Sequence, residues 1–318
     1  MLAHAARSLI AIMLGLSMLF AAAGPARAAD DDDRKLRAAV QEAAFYNLER
    51  AEELFREVMD GSPPGSDRWA QAAFGAATAR QHRLPLKAAN AQEALRLFRD
   101  LAAKAPQSKY APRATYNAGR ILEQVDEFGD PQDLEGARAE YQTVLDEWPT
   151  DLIASEAAMR IAGTYVQTFD EPRVRRGVRV LEDWLVAHPD DRLASTMWQY
   201  LAETYFFPLQ DYARSVQCYE KVDAIGWVDK GNQGPDYWRI AQMAERYLND
   251  RATAVKYYTK IVIETPTSGK AYESQRALER LGAPEPEVAL FKALEGAAPT
   301  AAATTQPAAA AATQGVGR

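Results

Sequence analysis

Hydrolytic, redox and metal chemistry each need a few residue types held at fixed spacing, and those types are scarce here. The chain of 318 residues contains three histidines, His4, His82 and His188, and one cysteine, Cys218. A zinc-protease helix needs two histidines four residues apart with a glutamate beside the first; neither His82 nor His188 stands in such a pair. One cysteine forms no intramolecular disulfide and no Cys-rich zinc site, so Cys218 reads as a small buried apolar residue. His188 precedes Pro189 in a turn and reads as a helix-end residue. No G-x-x-x-x-G-K-S/T phosphate loop, G-x-G-x-x-G turn or G-x-S-x-G elbow occurs. Asp229-Lys230-Gly231-Asn232 lacks the alternating oxygen ligands of a calcium loop. Carboxylates are numerous, as a charged content of 25% requires. The sequence therefore supplies no catalytic, cofactor-binding or metal-binding set, and its function must lie in surfaces that regular elements position.

Those elements announce themselves by recurrence. A small residue is followed by a bulky apolar residue at +4, another at +7 and usually proline at +12. The copies are Ala51, Phe55, Val58, Pro63; Ala94, Phe98, Leu101, Pro106; Ala137, Tyr141, Val144, Pro149; Gly177, Leu181, Trp184, Pro189; Ser215, Tyr219, Val222, Trp227; and Ala254, Tyr258, Ile261, Pro266. Positions 0, +4 and +7 share one face of a helix. The small residue admits a neighbouring helix, the large ones fill the core, and proline cannot continue the helix.

Four of the proline turns share a second pattern, Pro106-x-Ser108-x-x-Ala111, Pro149-x-Asp151-x-x-Ala154, Pro189-x-Asp191-x-x-Ala194 and Pro266-x-Ser268-x-x-Ala271. Ser and Asp accept the free amides of a starting helix, so each proline is expected to close one helix and each cap to open the next. A partner helix lies upstream of each small residue, with core residues Phe74-Gly75…Thr78, Ala118-Gly119…Leu122, Ile161-Ala162…Tyr165, Leu201-Ala202…Tyr205 and Ile240-Ala241…Ala244. A helix pair cannot bury its face alone, so the pairs must stack into a solenoid.

At this point the sequence resembles the tetratricopeptide repeat family, whose pattern is Leu-Gly-x-x-Tyr in helix A, then Ala-x-x-x-Phe and a closing Pro in helix B. Residues 198–222, WQYLAETYFFPLQDYARSVQCYEKV, carry the likeness best, and it covers residues 34–282. The Pro-x-Ser/Asp-x-x-Ala turns look like the periplasmic subgroup that includes outer-membrane assembly lipoproteins and Tol–Pal-associated division proteins. The resemblance implies an all-α, right-handed superhelix of five to six helix pairs. The copies start 38 to 43 residues apart, against about 34 in the family. The surplus is placed between helices A and B, at 81–93, 124–135 and 168–176. Residues 34–60 of the first unit read either as a pair or as one continuous helix, and residues 268–281 as a terminal cap.

The ends differ in kind. His4 and Arg7 precede an apolar run over 8–23, and Ala26-Arg27-Ala28 reads as a cleavage site, so residues 1–28 are expected to be a secretory signal. No cysteine stands at that site to take a lipid. A periplasmic protein without stable membrane insertion is expected, beginning near Ala29. Removing the signal changes the net charge from −7 to −9, since it takes two arginines and no acids. That balance opposes nucleic-acid binding, which needs a basic surface. Residues 29–33 read as an acidic leader. Residues 283–318 form a tail expected to be mostly disordered: weak helical signal persists through Leu294, and from Glu295 the chain turns into Ala, Thr, Pro, Gln and Gly.

In tetratricopeptide arrays helix A of each unit lines a concave groove that holds peptides or partner helices. Carried over by position, the resemblance implies a protein-binding site of Arg113, Tyr116 and Arg120, with Gln199 and Glu203, and with Trp238 and Gln242. The Lys/Asn carboxylate clamp of chaperone-binding members is not expected, since the matching positions Arg120, Gly163, Glu203 and Gln242 carry no Asn. The function expected is a non-catalytic protein-binding scaffold or adaptor in the cell envelope. The alternative is a binder of an envelope glycan or small molecule, or an accessory subunit of an envelope enzyme.

Overall fold

The structure, a computed structural model, describes residues 31–124, 132–229, 233–284 and 286. The expected signal at 1–28, most of the 124–135 connection and nearly all of the expected tail lie outside the described residues. Among the described residues every regular element is helical, and there are thirteen helices. They are α1 (Asp31–Ala44), α2 (Leu48–Gly61), α3 (Asp67–His82), α4 (Ala88–Lys104), α5 (Ala111–Glu123), α6 (Leu134–Glu147) and α7 (Leu152–Val166). There follow α8 (Glu171–Ala187), α9 (Ala194–Phe206), α10 (Tyr212–Ile225), α11 (Gly234–Arg246), α12 (Arg251–Glu264) and α13 (Ala271–Arg280). Helices α1–α10 belong to a compact unit ending at Gly226, and α11–α13 to a second beginning at Trp227. Within each unit the helices pack consecutively as antiparallel pairs, the arrangement of a tetratricopeptide-like solenoid.

The recurring triplets form the core. All six small residues and their partners at +4 and +7 are buried, Phe55, Phe98, Tyr141, Tyr219 and Tyr258 with no exposed surface. The small positions are needed for close approach. A Cβ on Gly177 would lie 2.7 Å from the Ala162 carbonyl oxygen. At Ser215 the hydroxyl, fully buried, donates to the Ala202 carbonyl at 2.8 Å, which satisfies its polar group. Cys218 is buried, and burial pushes its thiol up to about 12, so it packs as an apolar residue.

Four of the turns from helix B to helix A share one hydrogen bond. Ser108, Asp151, Asp191 and Ser268 each accept the amide two residues on through the side chain, from Tyr110 (3.3 Å), Ile153 (2.9 Å), Leu193 (2.7 Å) and Lys270 (3.3 Å). Only Asp151 is directly followed by its helix. In the other three the cap closes a turn, and the helix starts three residues later at alanine.

The A-to-B turns were not legible in this form. Residues 34–60 are not one helix: the chain breaks between α1 and α2, where Tyr46 takes φ 63°. Phe169, Gln210 and Asn249 repeat that left-handed conformation, each followed by an Asp that caps the next helix. The surplus after α7 is not loop, because α8 begins at Glu171 and runs 17 residues. The last three residues of the acidic stretch form the first turn of α1, where carboxylates face the positive end of the helix dipole.

Candidate protein-binding face of the A helices

A row of side chains, half-buried except at Glu203, repeats along α5, α7 and α9. On α5 it consists of Arg113, Asn117 and Arg120, spaced 0, +4 and +7. Forty-three residues on, α7 presents Glu156, Arg160 and Gly163, and forty further α9 presents Thr196, Tyr200 and Glu203. The row is half-buried because α5 and α7 touch directly in addition to their own B helices.

The structure separates the expected trio. Arg113 and Arg120 lie on the row. Tyr116 is buried, its ring 5.4 Å from that of Tyr141. Helical spacing put all three on one side of α5, but Tyr116 stands at the margin that α6 and α7 cover. Its hydroxyl accepts from Arg160 Nε at 3.3 Å. Tyr116 thus supports the face from beneath and offers no free surface.

Arg160 also reaches Glu123 at 3.3 Å, and the Tyr141 hydroxyl donates to the same carboxylate at 2.6 Å. Burial and then Glu123 hold the Tyr141 phenol well above its usual range. Tyr200 is pushed up to about 12, by burial first and then by Glu123 and Glu203. One carboxylate on α5 therefore ties together α6 and α7. Neither Glu123 nor Arg160 is visible as a site residue in the sequence, since 37 residues separate them. The one available signal was register: Arg160 is the equivalent of Asn117 one repeat later.

The two row arginines differ from Arg160. Among the described residues neither Arg113 nor Arg120 has an ion pair. Arg120 does sense His82 at the end of α3, whose imidazole is pushed down to about 4, by burial and then by the Arg120 charge. Beside them the row is open. A Cβ on Gly163 would meet only the Tyr200 hydroxyl, at 3.8 Å. On α9, Gln199 is half-buried and Glu203 exposed.

In the second unit, Trp238 is half-buried with its ring 5.4 Å from Tyr258, and the Lys270 ammonium lies 5.0 Å from the indole centroid. Gln242 donates to the Tyr258 hydroxyl, which donates to Glu245 at 2.7 Å. Arg280 of α13 pairs with Glu245 as Arg160 pairs with Glu123. The Tyr–Glu–Arg tie therefore occurs in both units, and the first holds a further copy, in which the Tyr205 hydroxyl donates to Glu182 at 2.7 Å and Arg214 reaches the same carboxylate at 3.2 Å.

His188 caps α8, its ring stacked 3.9 Å from Trp184. Among the described residues no three His, Cys, Asp or Glu side chains are grouped to hold a metal. No described helix is long and apolar enough to cross a membrane.

No family model and no curated protein matches the chain. Among solved structures, the C-terminal part of a TPR repeat-containing protein from Cytophaga hutchinsonii is similar, with a TM-score of 0.44 and 14% identity over 75% of this chain and 98% of that one.

Proposed function

We propose that the chain is an exported, non-catalytic scaffold of the cell envelope, and that the A-helix row of the first unit is the groove that holds a protein partner. The observation that carries this reading is the pairing of two kinds of side chain on one row. Arg160 is tied down by Tyr116 and Glu123, whereas Arg113 and Arg120 are without ionic partner among the described residues and stand beside the open surface at Gly163. A guanidinium with free donors recognises carboxylates through paired hydrogen bonds, so the partner segment is acidic. Gln199 and Glu203 continue the contact on α9. In the second unit Trp238 and Gln242 present a further half-buried contact.

Export is inferred from the basic start, the apolar run over 8–23 and Ala26-Arg27-Ala28. The four matching Pro-x-Ser/Asp-x-x-Ala turns support the kinship with periplasmic tetratricopeptide proteins of the outer-membrane assembly and Tol–Pal type. Affinity capture from solubilised envelope with the wild-type chain, and with Gly163→Gln as control, tests the reading. A saturable protein partner lost in Gly163→Gln is the expected result. Retention of glycan without any protein would overturn it.

A further inference from the structure

We propose that the outer face of α8, with the turn that precedes it, docks onto an anionic phospholipid membrane surface. Relative to the small residue of its helix, α8 carries arginine at −4, −2, −1 and +2: Arg173, Arg175, Arg176 and Arg179. The same four positions in the other B helices of the first unit hold at most one arginine and always at least one acid. They are Asn47, Glu49, Arg50 and Glu53 in α2; Asn90, Gln92, Glu93 and Arg96 in α4; Asp133, Glu135, Gly136 and Ala139 in α6; and Asp211, Ala213, Arg214 and Gln217 in α10.

At 100° per residue the four arginines span about 160°, opposite the buried face of Val174, Gly177, Val178 and Leu181. All four are exposed. Arg176 is steadied over the Tyr165 ring at 5.0 Å, with Arg138 over the same ring at 4.5 Å. Acids offset the patch only in part. Arg175 contacts Glu171 at 2.8 Å, Arg173 lies 4.0 Å from Asp170, and Asp183 stands on the same arc beyond Arg179. On a chain of net charge −7 the patch is a local inversion of sign.

The second observation is Phe169. It is 70% exposed, and its backbone has φ 53°, a conformation bulky residues rarely adopt. Neither packing nor backbone preference accounts for an aromatic there. In the next A-to-B turn Phe207 is likewise 70% exposed. Because the pairs are antiparallel and stacked, these two turns lie on the same edge of the first unit. This edge presents projecting aromatic tips beside four exposed guanidiniums. It matches a planar surface in which phosphates pair with arginines while rings enter the headgroup layer. The contact is peripheral and separate from the proposed groove.

Cosedimentation of the full chain with phosphatidylcholine vesicles, with and without phosphatidylglycerol, tests this. The readout is the excess binding to anionic over neutral vesicles, which discounts apolar adsorption. The wild-type excess is expected to shrink as ionic strength rises from about 0.1 M to about 0.5 M. Arg175→Glu with Arg179→Glu is expected to lower it about tenfold or more, and Phe169→Gly to lower it with an unchanged or raised Tm. Arg113→Glu with Arg120→Glu is expected to leave it intact. No excess in the wild type, or an excess equal in the α8 variants, would overturn the proposal. So would patch-dependent binding of poly-glutamate in place of vesicles, which would make the face a dock for acidic protein.

Discussion

The inner face of α5 and α7 and the outer face of α8 both carry arginines, yet the scaffold treats them differently. On the inner side α5 and α7 touch each other directly, so Arg160 is drawn into a tie with Tyr116 and Glu123, and Arg113 and Arg120 are half-buried beside an open surface. On the outer side no described helix lies above α8, and its four arginines are exposed. A helix-pair repeat therefore builds two kinds of surface from one side-chain type. One is shaped by packing and suits a selected partner; the other is shaped by charge density and suits an extended one.

The largest expected effect separates core from row on the A helices themselves. A Cβ on Gly119 would fall 2.6 Å from the Tyr141 ring, and that ring is anchored through its hydroxyl to Glu123. Gly119→Ala should cost about 1–3 kcal/mol in urea unfolding. Gly163→Ala, with only a distant hydroxyl near, should add about 0.5–1 kcal/mol through helix preference. Equal effects would mean that Gly163 does not face an open row.

Next comes the contrast between tied and exposed arginines. Arg160→Ala leaves the mostly buried Glu123 with Tyr141 alone, a loss of about 1–1.5 kcal/mol once solvent screening at Arg160 is allowed for. Arg179→Ala should stay within about 0.5 kcal/mol of wild type. A stability loss at Arg179 as large as that at Arg160 would erase the distinction between the faces.

A smaller effect should appear with pH. His82 titrates near 4 in the folded chain and near 6.5 when unfolded. The folded state thus binds fewer protons between these values, and the stability associated with His82 is full above pH 6.5 and lost as pH falls toward 4. His82→Gln should flatten the Tm profile over that window and leave it unchanged at pH 8. Arg120→Gln should flatten it less, since burial is the larger cause.

The core was legible because it obeys local spacing: a small residue followed by bulky ones at +4 and +7 fixes a helix face, and proline with a Ser or Asp cap fixes a turn. The turns into the B helices were not. Left-handed backbone is signalled by Gly or Asn, and among these turns only Asn249 fits; Tyr46, Phe169 and Gln210 carry no such signal. The candidate face was legible by half. Register placed Arg113 and Arg120, but the burial of Tyr116 and the Glu123–Arg160 tie depend on helices far away in sequence. The four arginines of α8 were in plain view, and only the turn at Phe169 gives them a possible use.

The central claim, a groove on the A helices with two available cations, is tested most directly by one binding titration. The envelope partner recovered by capture is titrated against the wild-type chain and against Arg113→Glu with Arg120→Glu. Affinity lowered at least about tenfold with an unchanged Tm is the predicted result, since neither arginine has an ion pair to lose among the described residues and each exchange turns attraction for an acidic segment into repulsion. Unchanged affinity in a normally folded double variant would contradict the account.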